Sequence, residues 1–225
     1  MRRLHHFVLS PFCRKVRLVL GEKKLSFELV AERPWERRPE FLALNPVGQV
    51  PVMIEESGVV ISDSNAITEY FEEVHPQPPL LPPRPPERAE VRRLIAYCDQ
   101  LIFTEVTAPL LRERVLKRFG WSHDSDPAPD TAAIRAALDA LRKHMTYIGG
   151  LAEKRGWLAG SLSLADFAAA AHLSCVDYLG DIAWDAAPQV REWYARIKSR
   201  PCFRPLLADH LPGVPPPRHY ANLDF

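Results

Sequence analysis

The sequence has no excess of charge of either sign, because 29 lysines and arginines are balanced by 28 aspartates and glutamates among 225 residues. A balanced chain generates no overall field that would draw it to nucleic acid or to an anionic membrane surface. We therefore predict that no nucleic acid is bound and that the choice of partner depends on local surface patches.

Cysteine is scarce, and its spacing excludes two kinds of stabilising site. The four cysteines lie far apart in the chain and include no CxxC pair. Such a pattern indicates neither a disulfide framework nor a zinc site. We predict reduced thiols, which fit the cytoplasm, and no metal site.

Long hydrophobic runs are also lacking. No segment approaches the roughly 18 apolar residues that a membrane span requires. The apolar stretch that follows Arg2 and Arg3 is interrupted at Ser10 and Pro11, too early for the apolar region of a signal peptide. The expectation is a soluble, cytoplasmic protein without membrane insertion.

Proline, by contrast, is concentrated in one segment between Pro76 and Pro86, where seven of eleven residues are proline. Such a stretch disfavours helix and central strand and forms a stiff, extended connector. It predicts a domain boundary, with one domain at 1–76, a linker at 77–86, a second domain at 87–211 and a tail at 212–225.

The first domain shows strand and helix periods in alternation. The pattern predicts the order strand, helix, strand, and then strand, strand, helix. These elements are a strand over 5–10, a helix over 13–24, a strand over 27–30, a hairpin over 50–62 and a helix that stops at Pro76.

The second domain has only helical periods. Pro109 predicts a kink in a long amphipathic run, and Asp130 is a good N-cap for the next helix. Ser163 and Asp166 have the spacing of a capping box. We predict an all-helical domain followed by a tail without helical period.

Four motifs, in this order, resemble the cytosolic glutathione transferase superfamily over nearly the whole chain. They are SPFCRKVRL at 10–18, LNPVGQVPV at 44–52, SDSNAITEYF at 62–71 and SLADF at 163–167. The resemblance implies a fold of the α/β plus all-α class, with an N-terminal thioredoxin-like domain and a C-terminal all-helical domain.

The resemblance also implies a glutathione site. Ser10 occupies the place of the hydroxyl that activates the glutathione thiol, at a helix N-terminus whose partial positive charge favours a thiolate. A cis bond between Val50 and Pro51 would present the main chain to the cysteinyl unit. Asp63 and Ser64 would hold the γ-glutamyl end.

Each of these residues also has a role in the scaffold. Ser10, Asp63 and Ser64 are natural helix caps whether or not a ligand binds. Cys13 is a weaker candidate for a catalytic group, because a thiol one turn inside a helix is more often a small core residue than a nucleophile. Glutathione is therefore expected as an optional ligand and not as a required cofactor, and no catalytic residue is assigned firmly.

A second candidate site is the segment PWERRPEF. It places Trp35 beside Arg37 and Arg38, and tryptophan and arginine dominate protein interface hot spots. The alternative is an indole packed on its own domain.

The C-terminal tail is a third candidate. Its prolines predict a segment held off the body, with less entropy to lose when it docks on a partner. Packing back onto the body is the alternative. The candidate contact residues are His219, Tyr220, Asn222, Leu223, Asp224 and Phe225.

The loop and tail motifs together resemble the FzlA group of glutathione-transferase-like cell-division proteins. That resemblance implies a homodimer that binds FtsZ filaments at the division site. Trp35, Arg37 and Arg38 would form the filament-binding surface, and the tail would contact a downstream division factor to promote constriction and septal wall synthesis. The alternatives are an active glutathione transferase and a reductase that uses Cys13.

Overall fold

The computed structural model describes residues 1–122, 124 and 126–223. The N-terminal domain is a mixed sheet of four strands with three helices. Strand β1 pairs in parallel with β2 and antiparallel with β3, which pairs antiparallel with β4, so the order across the sheet is β2-β1-β3-β4. The elements are β1 Arg2–His6, α1 Pro11–Glu22, β2 Phe27–Ala31, α2 Pro39–Leu44, β3 Val52–Ile54, β4 Val60–Ser62 and α3 Ser64–Val74, with a 3-10 turn at Pro34–Glu36.

Strand β1 lies earlier in the chain than the sequence predicts. The predicted strand covers 5–10, whereas the observed strand ends at His6. After His6 the chain turns, because the amide of Ser10 donates to the carbonyl of Phe7 at 3.0 Å. The apolar character of Phe7 and Leu9 comes from packing in a cluster with the helical domain and the tail, and not from pairing in the sheet.

The proline-rich linker is anchored to both domains. Leu80 is buried in the helical core, and the Glu72 carboxylate of α3 accepts hydrogen bonds from the amides of Leu80 and Leu81 at 3.0 and 2.9 Å. The next helix begins at Pro85, two residues before the predicted start of the domain. Proline is favoured in the first helical turn because its missing N–H has no partner there.

The helical domain begins with one continuous helical run from residue 85 to 116. Its middle and end have the wider π-helical hydrogen bonding, at Tyr97–Thr107 and Arg112–Leu116. The α-helices are α4 Pro85–Ala96, α5 Ala108–Leu111, α6 Thr131–Arg155, α7 Leu164–Leu179, α8 Pro188–Lys198 and α9 Arg204–Leu207, with 3-10 turns at Trp184–Ala186, Pro201–Phe203 and Arg218–Ala221.

By length and composition alone, the helix from Pro85 to Leu116 could cross a membrane. No such segment was predicted from the sequence. The same test is passed by core helices of soluble proteins. Here Leu94, Ile102 and Val106 belong to the main hydrophobic core. These three side chains therefore already have packing partners within the domain, whereas Leu101 of the same helix is exposed.

Helix α7 lies at the centre of the core, and its N-terminus is fixed by Asp166. The capping box predicted between Ser163 and Asp166 is confirmed. The fully buried Asp166 carboxylate also accepts hydrogen bonds from the Leu158 amide and the Trp193 indole, both at 3.0 Å. One carboxylate thus satisfies buried donors from α7, from the preceding loop and from α8.

We predict that Asp166→Ala lowers the free energy of unfolding by about 3 kcal/mol, because several buried donors lose their acceptor. The matched control is Asp130→Ala, which removes the exposed N-cap of α6 and should cost about 1 kcal/mol. Urea denaturation followed by circular dichroism measures both. Equal losses in the two variants would contradict the role given to Asp166.

Candidate functional site

The residues proposed for glutathione lie together in one cleft of about 230 Å³. Val50, Pro51, Asp63 and Ser64 all line it, together with Phe12. The Val50-Pro51 bond is cis, as the resemblance implied. The cleft is smaller than the roughly 300–1,000 Å³ that is usual for pockets that enclose small ligands.

Asp63 is engaged in the scaffold of this cleft. Its φ of 75° lies in the left-handed region, which is uncommon outside glycine. The carboxylate accepts hydrogen bonds from the amides of Asn65 and Ala66 at 2.7 and 3.1 Å and so caps helix α3. Ser64, by contrast, is buried. The exposed Asp63 carboxylate still has capacity for a further donor such as an amine.

Ser10 caps its own helix and does not line the cleft. Its hydroxyl oxygen accepts a hydrogen bond from the Cys13 amide at 3.3 Å, and the residue is buried. The neighbouring Phe12 faces the cleft instead and packs against Phe103 of the long helix, with ring centroids 4.7 Å apart. Sequence reasoning did not identify Phe12, although an aromatic residue directly after the cap was a usable signal.

Cys13 is a core residue. It is fully buried, and burial raises the pKa of its thiol to about 12. A thiol with such a pKa holds almost no thiolate at neutral pH, and the thiolate is the nucleophile. The geometry therefore does not support a reductase that uses Cys13.

Trp35 lies in an aromatic cluster built from both domains. Its indole stacks on that of Trp121 at 4.6 Å, and Trp121 in turn stacks on Phe119 at 4.5 Å. The ring of Phe7 packs edge-on against both indoles. Trp35 is thus half-buried against both domains, because Phe7 of its own domain and Trp121 of the helical domain contact its ring.

The two arginines beside Trp35 have different environments. Arg38 forms a bidentate pair with Glu32, at 3.1 and 2.7 Å. Burial opposes ionisation of Glu32, but hydrogen bonds from Arg38 and His5 outweigh it and lower the pKa of the carboxyl. Arg37 is exposed, and within the described part of the chain it has no carboxylate at ion-pair distance. Of the two, Arg37 has the charge available for a partner.

The aromatic cluster forms one wall of a groove of about 490 Å³, which we call the aromatic groove. Its opposite wall is the chain segment 208–212. Sequence reasoning did not identify Phe7, Phe119 or Trp121 as part of this groove. The one local signal for them was that the aromatic residues Phe119 and Trp121 precede a polar loop. These residues contact Trp35 across the domain boundary, which sequence spacing does not reveal.

Much of the tail docks on the body, which differs from the prediction of a segment held off it. Tyr220 is fully buried, and its hydroxyl donates to the Leu206 carbonyl at 2.9 Å and accepts from Arg14 at 3.0 Å. His219 lies 3.2 Å from the buried Asp177 carboxylate. These long-range polar contacts outweigh the extension that three prolines favour. Tyr220 therefore serves as an anchor and offers no free contact surface.

The last residues extend beyond this anchor. Asn222 is exposed and Leu223 is half-buried. Asp224 and Phe225, the acidic and aromatic end of the predicted tail contact, lie outside the described residues.

Gly213, near the start of the tail, fits beneath the aromatic cluster, because a Cβ there would come within 2.9 Å of the Phe119 ring. The tail and the aromatic groove are therefore in direct contact.

No group of three or more His, Cys, Asp or Glu residues that could hold a metal ion is found in the described part of the chain.

Family models and sequence relatives match this chain over most of its length. The model for the glutathione S-transferase N-terminal domain matches residues 4–79, and that for the C-terminal domain matches residues 128–196. FtsZ-localized protein A of Caulobacter vibrioides is 50% identical over 100% of this chain and 98% of its own length. Maleylacetoacetate isomerase of Pseudomonas aeruginosa is 29% identical over 95% of this chain and 99% of its own.

Two solved structures are similar to the whole chain. A glutathione S-transferase from Rhodospirillum rubrum superposes with a TM-score of 0.95 at 51% identity and covers 100% of both chains. FzlA from C. crescentus superposes with a TM-score of 0.95 at 50% identity, covering 100% of this chain and 99% of its own.

We predict that the folded protein does not react with Ellman's reagent at pH 8, whereas four thiols react after denaturation in guanidinium. All four cysteines are buried and free, and burial raises the pKa of Cys175 to about 11 as it raises that of Cys13. The measurement is the absorbance of released thionitrobenzoate. A fast thiol in the native protein that disappears in Cys13→Ser would contradict this assignment.

We also predict that Tyr220→Phe lowers the free energy of unfolding by about 1–2 kcal/mol, since the buried Leu206 carbonyl loses its donor. Cleavage of the tail in limited proteolysis should become faster. The matched control is Tyr147→Phe, which removes an exposed hydroxyl that accepts a hydrogen bond from Arg93 and should change stability by less than about 0.5 kcal/mol. An unchanged proteolysis rate in Tyr220→Phe would show that the hydroxyl does not anchor the tail.

Proposed function

Because this chain belongs to the glutathione S-transferase family and is a homologue of FtsZ-localized protein A, we propose that it is a cell-division adaptor. In this proposal it binds FtsZ filaments. The observation that carries the proposal is the 50% identity to FtsZ-localized protein A over the full chain. The similarity extends over the loops and tail as well as the two domains, because it covers 100% of this chain. Catalysis is not the main role in this proposal.

The aromatic groove supports a macromolecular partner. Interface hot spots are enriched in tryptophan and arginine that become fully desolvated near the centre of the complex. Trp35 is suited to this role, because the Trp121 stack fixes its half-buried ring and a partner could cover the rest. Arg37 adds an exposed charge two residues away. The filament-binding surface in this proposal is centred on Trp35 and includes Arg37, whereas Arg38 acts through its pair with Glu32.

The tail supplies a second contact. We assign the contact with a downstream division factor to the segment beyond Tyr220, namely Asn222, Leu223, Asp224 and Phe225. His219 and Tyr220 hold the base of this segment against the body. Constriction and septal wall synthesis would be promoted through this end of the molecule.

The adaptor is proposed to work as a cytoplasmic homodimer at the division site. Exposed apolar side chains such as Val60, Val74 and Leu101 are candidates for burial between two subunits. Two copies would present two filament-binding surfaces, and paired sites raise the effective concentration of the second binding event.

Glutathione conjugation is the second candidate function. The observation that favours it is the cleft in which Val50, Pro51, Asp63 and Ser64 meet. Ser10 would then lower the pKa of the glutathione thiol from the N-terminus of α1. A chromogenic conjugation assay with Ser10→Ala as the control tests this activity, and calorimetric titration with glutathione tests binding alone.

The filament proposal is tested by sedimentation with purified FtsZ polymerised with GTP. The wild-type protein should enter the pellet in a saturable way. Trp35→Ala should weaken binding at least about tenfold, as hot-spot truncations do. Arg37→Glu should weaken it as well, and more strongly at low than at high salt, because the charge is exposed.

Ser10→Ala is the matched control, since Ser10 caps α1 outside the aromatic groove and the variant should bind filaments as the wild type does. Absence of wild-type protein from the FtsZ pellet, combined with brisk conjugation of glutathione, would overturn the proposal in favour of the second function.

A further inference from the structure

Strand β2 has an open edge, because it is the outermost strand on its side of the sheet. The amide of Glu32, just past the strand, donates to the His6 carbonyl of β1 at 2.8 Å. Main-chain groups alternate in direction along a strand. The amides of Leu29 and Ala31 therefore point away from β1, and no hydrogen bond to them is present among the residues described.

This edge has few of the features that block strand addition. Natural edge strands are protected by proline, lysine or other charged side chains, bulges or very short length. Strand β2 reads FELVA; it contains no proline, lysine or bulge and its Leu29 is 44% exposed, but it carries one exposed carboxylate, Glu28. An edge that is open, regular and mostly apolar is a template for an extended segment of another chain.

The open edge leads directly into the aromatic groove. Ala31 is the last residue of β2 and also lines the groove, next to Trp35 and Phe7. Trp121 reaches the same wall from the helical domain and stacks on Trp35. An extended segment paired with β2 would therefore place its next side chains against the stacked indoles.

The charges of the groove favour an acidic segment. Its two carboxylates are already paired, Glu32 with Arg38 and Asp209 with Arg17. Arg33 extends over Trp121, with its guanidinium carbon 5.9 Å from the ring centroid, and it pairs with the exposed Glu36 at 3.0 Å. Arg37 is exposed and has no carboxylate at ion-pair distance among the described residues. The rim near Trp35 thus presents two guanidinium groups and one carboxylate.

One wall atom also lacks a partner. The buried Nδ1 of His6, a groove residue, has no hydrogen-bond partner in the described ranges. Burial and the nearby Arg17 lower the pKa of His6 to about 4, so the ring is neutral near pH 7. The groove wall at His6 is therefore uncharged near pH 7.

We propose that the partner docks as an extended strand on the free edge of β2 and inserts an apolar side chain, flanked by a carboxylate, into the groove between Trp35 and the segment 208–212. This inference rests on the proposed function, since it specifies how an FtsZ subunit is held at the Trp35 surface. Trp121 then belongs to the binding surface although it lies in the other domain.

The test uses FtsZ polymerised with GTP and two matched pairs of variants. Ala31→Pro and Leu29→Pro each remove an outward amide donor, whereas Ala31→Ser and Leu29→Ala keep it. Because these amides face away from β1, proline spares the ladder within the sheet. Each proline variant should bind about three- to tenfold more weakly than its partner, which corresponds to one lost hydrogen bond. Thermal denaturation confirms that both members of a pair are folded.

A second set of variants addresses the groove. Trp121→Ala should weaken binding at least about tenfold, and Trp121→Phe should restore most of it, because a ring still stacks on Trp35. Arg33→Glu should weaken binding more than Arg33→Gln if the docked segment is acidic. Equal effects of the two Arg33 variants would contradict an acidic segment.

The outcomes separate this inference from the proposed function. If the wild type sediments with FtsZ and both proline variants bind like their partners, strand addition on β2 is wrong while filament binding stands. If Trp121→Ala binds like the wild type, the groove is not the docking site. If the wild type does not sediment with FtsZ, the proposed function itself fails.

Discussion

The relative position of the two domains and the tail depends on the hydrogen bonds of the buried Arg14 guanidinium. It lies on α1, fully excluded from water, and donates to the Val8 carbonyl, Ser174 of α7 and Tyr220 of the tail, at 2.9 to 3.0 Å. It also meets Asp209 at 3.2 Å. A buried charge is tolerated only when its hydrogen bonds are satisfied. The two domains and the tail must therefore adopt one relative position.

This constraint explains why an interface between domains can serve as a binding surface. Asp209, held by Arg14 and Arg17, begins the turn that forms one wall of the aromatic groove. The opposite wall needs Trp121 of the helical domain to meet Trp35 of the first domain. Because the Arg14 network fixes both sides, the groove exists before any partner arrives, and little ordering entropy is lost on binding.

Much of the fold could be predicted because its signals are local. The capping box at Ser163 and the N-cap at Asp130 depend on residues three positions apart. The buried Tyr220 and the pairing of Trp35 with Trp121 could not be predicted, since they join residues far apart in sequence. The loop after β1 was misassigned for the same reason: Phe7 is apolar because of contacts with the other domain.

The difference between local contacts and contacts far apart in sequence also bears on function. Two polar groups that sequence reasoning selected for glutathione are engaged by the scaffold: Ser10, outside the smaller cleft, caps α1, and Asp63, which lines it, caps α3. Among the described residues, the indoles of the aromatic groove cap no helix. Tryptophan side chains that remain half-buried across a domain boundary leave apolar surface in contact with water, which costs free energy unless a partner covers it. Because these residues have no local structural task, the aromatic groove is where we propose that a partner binds.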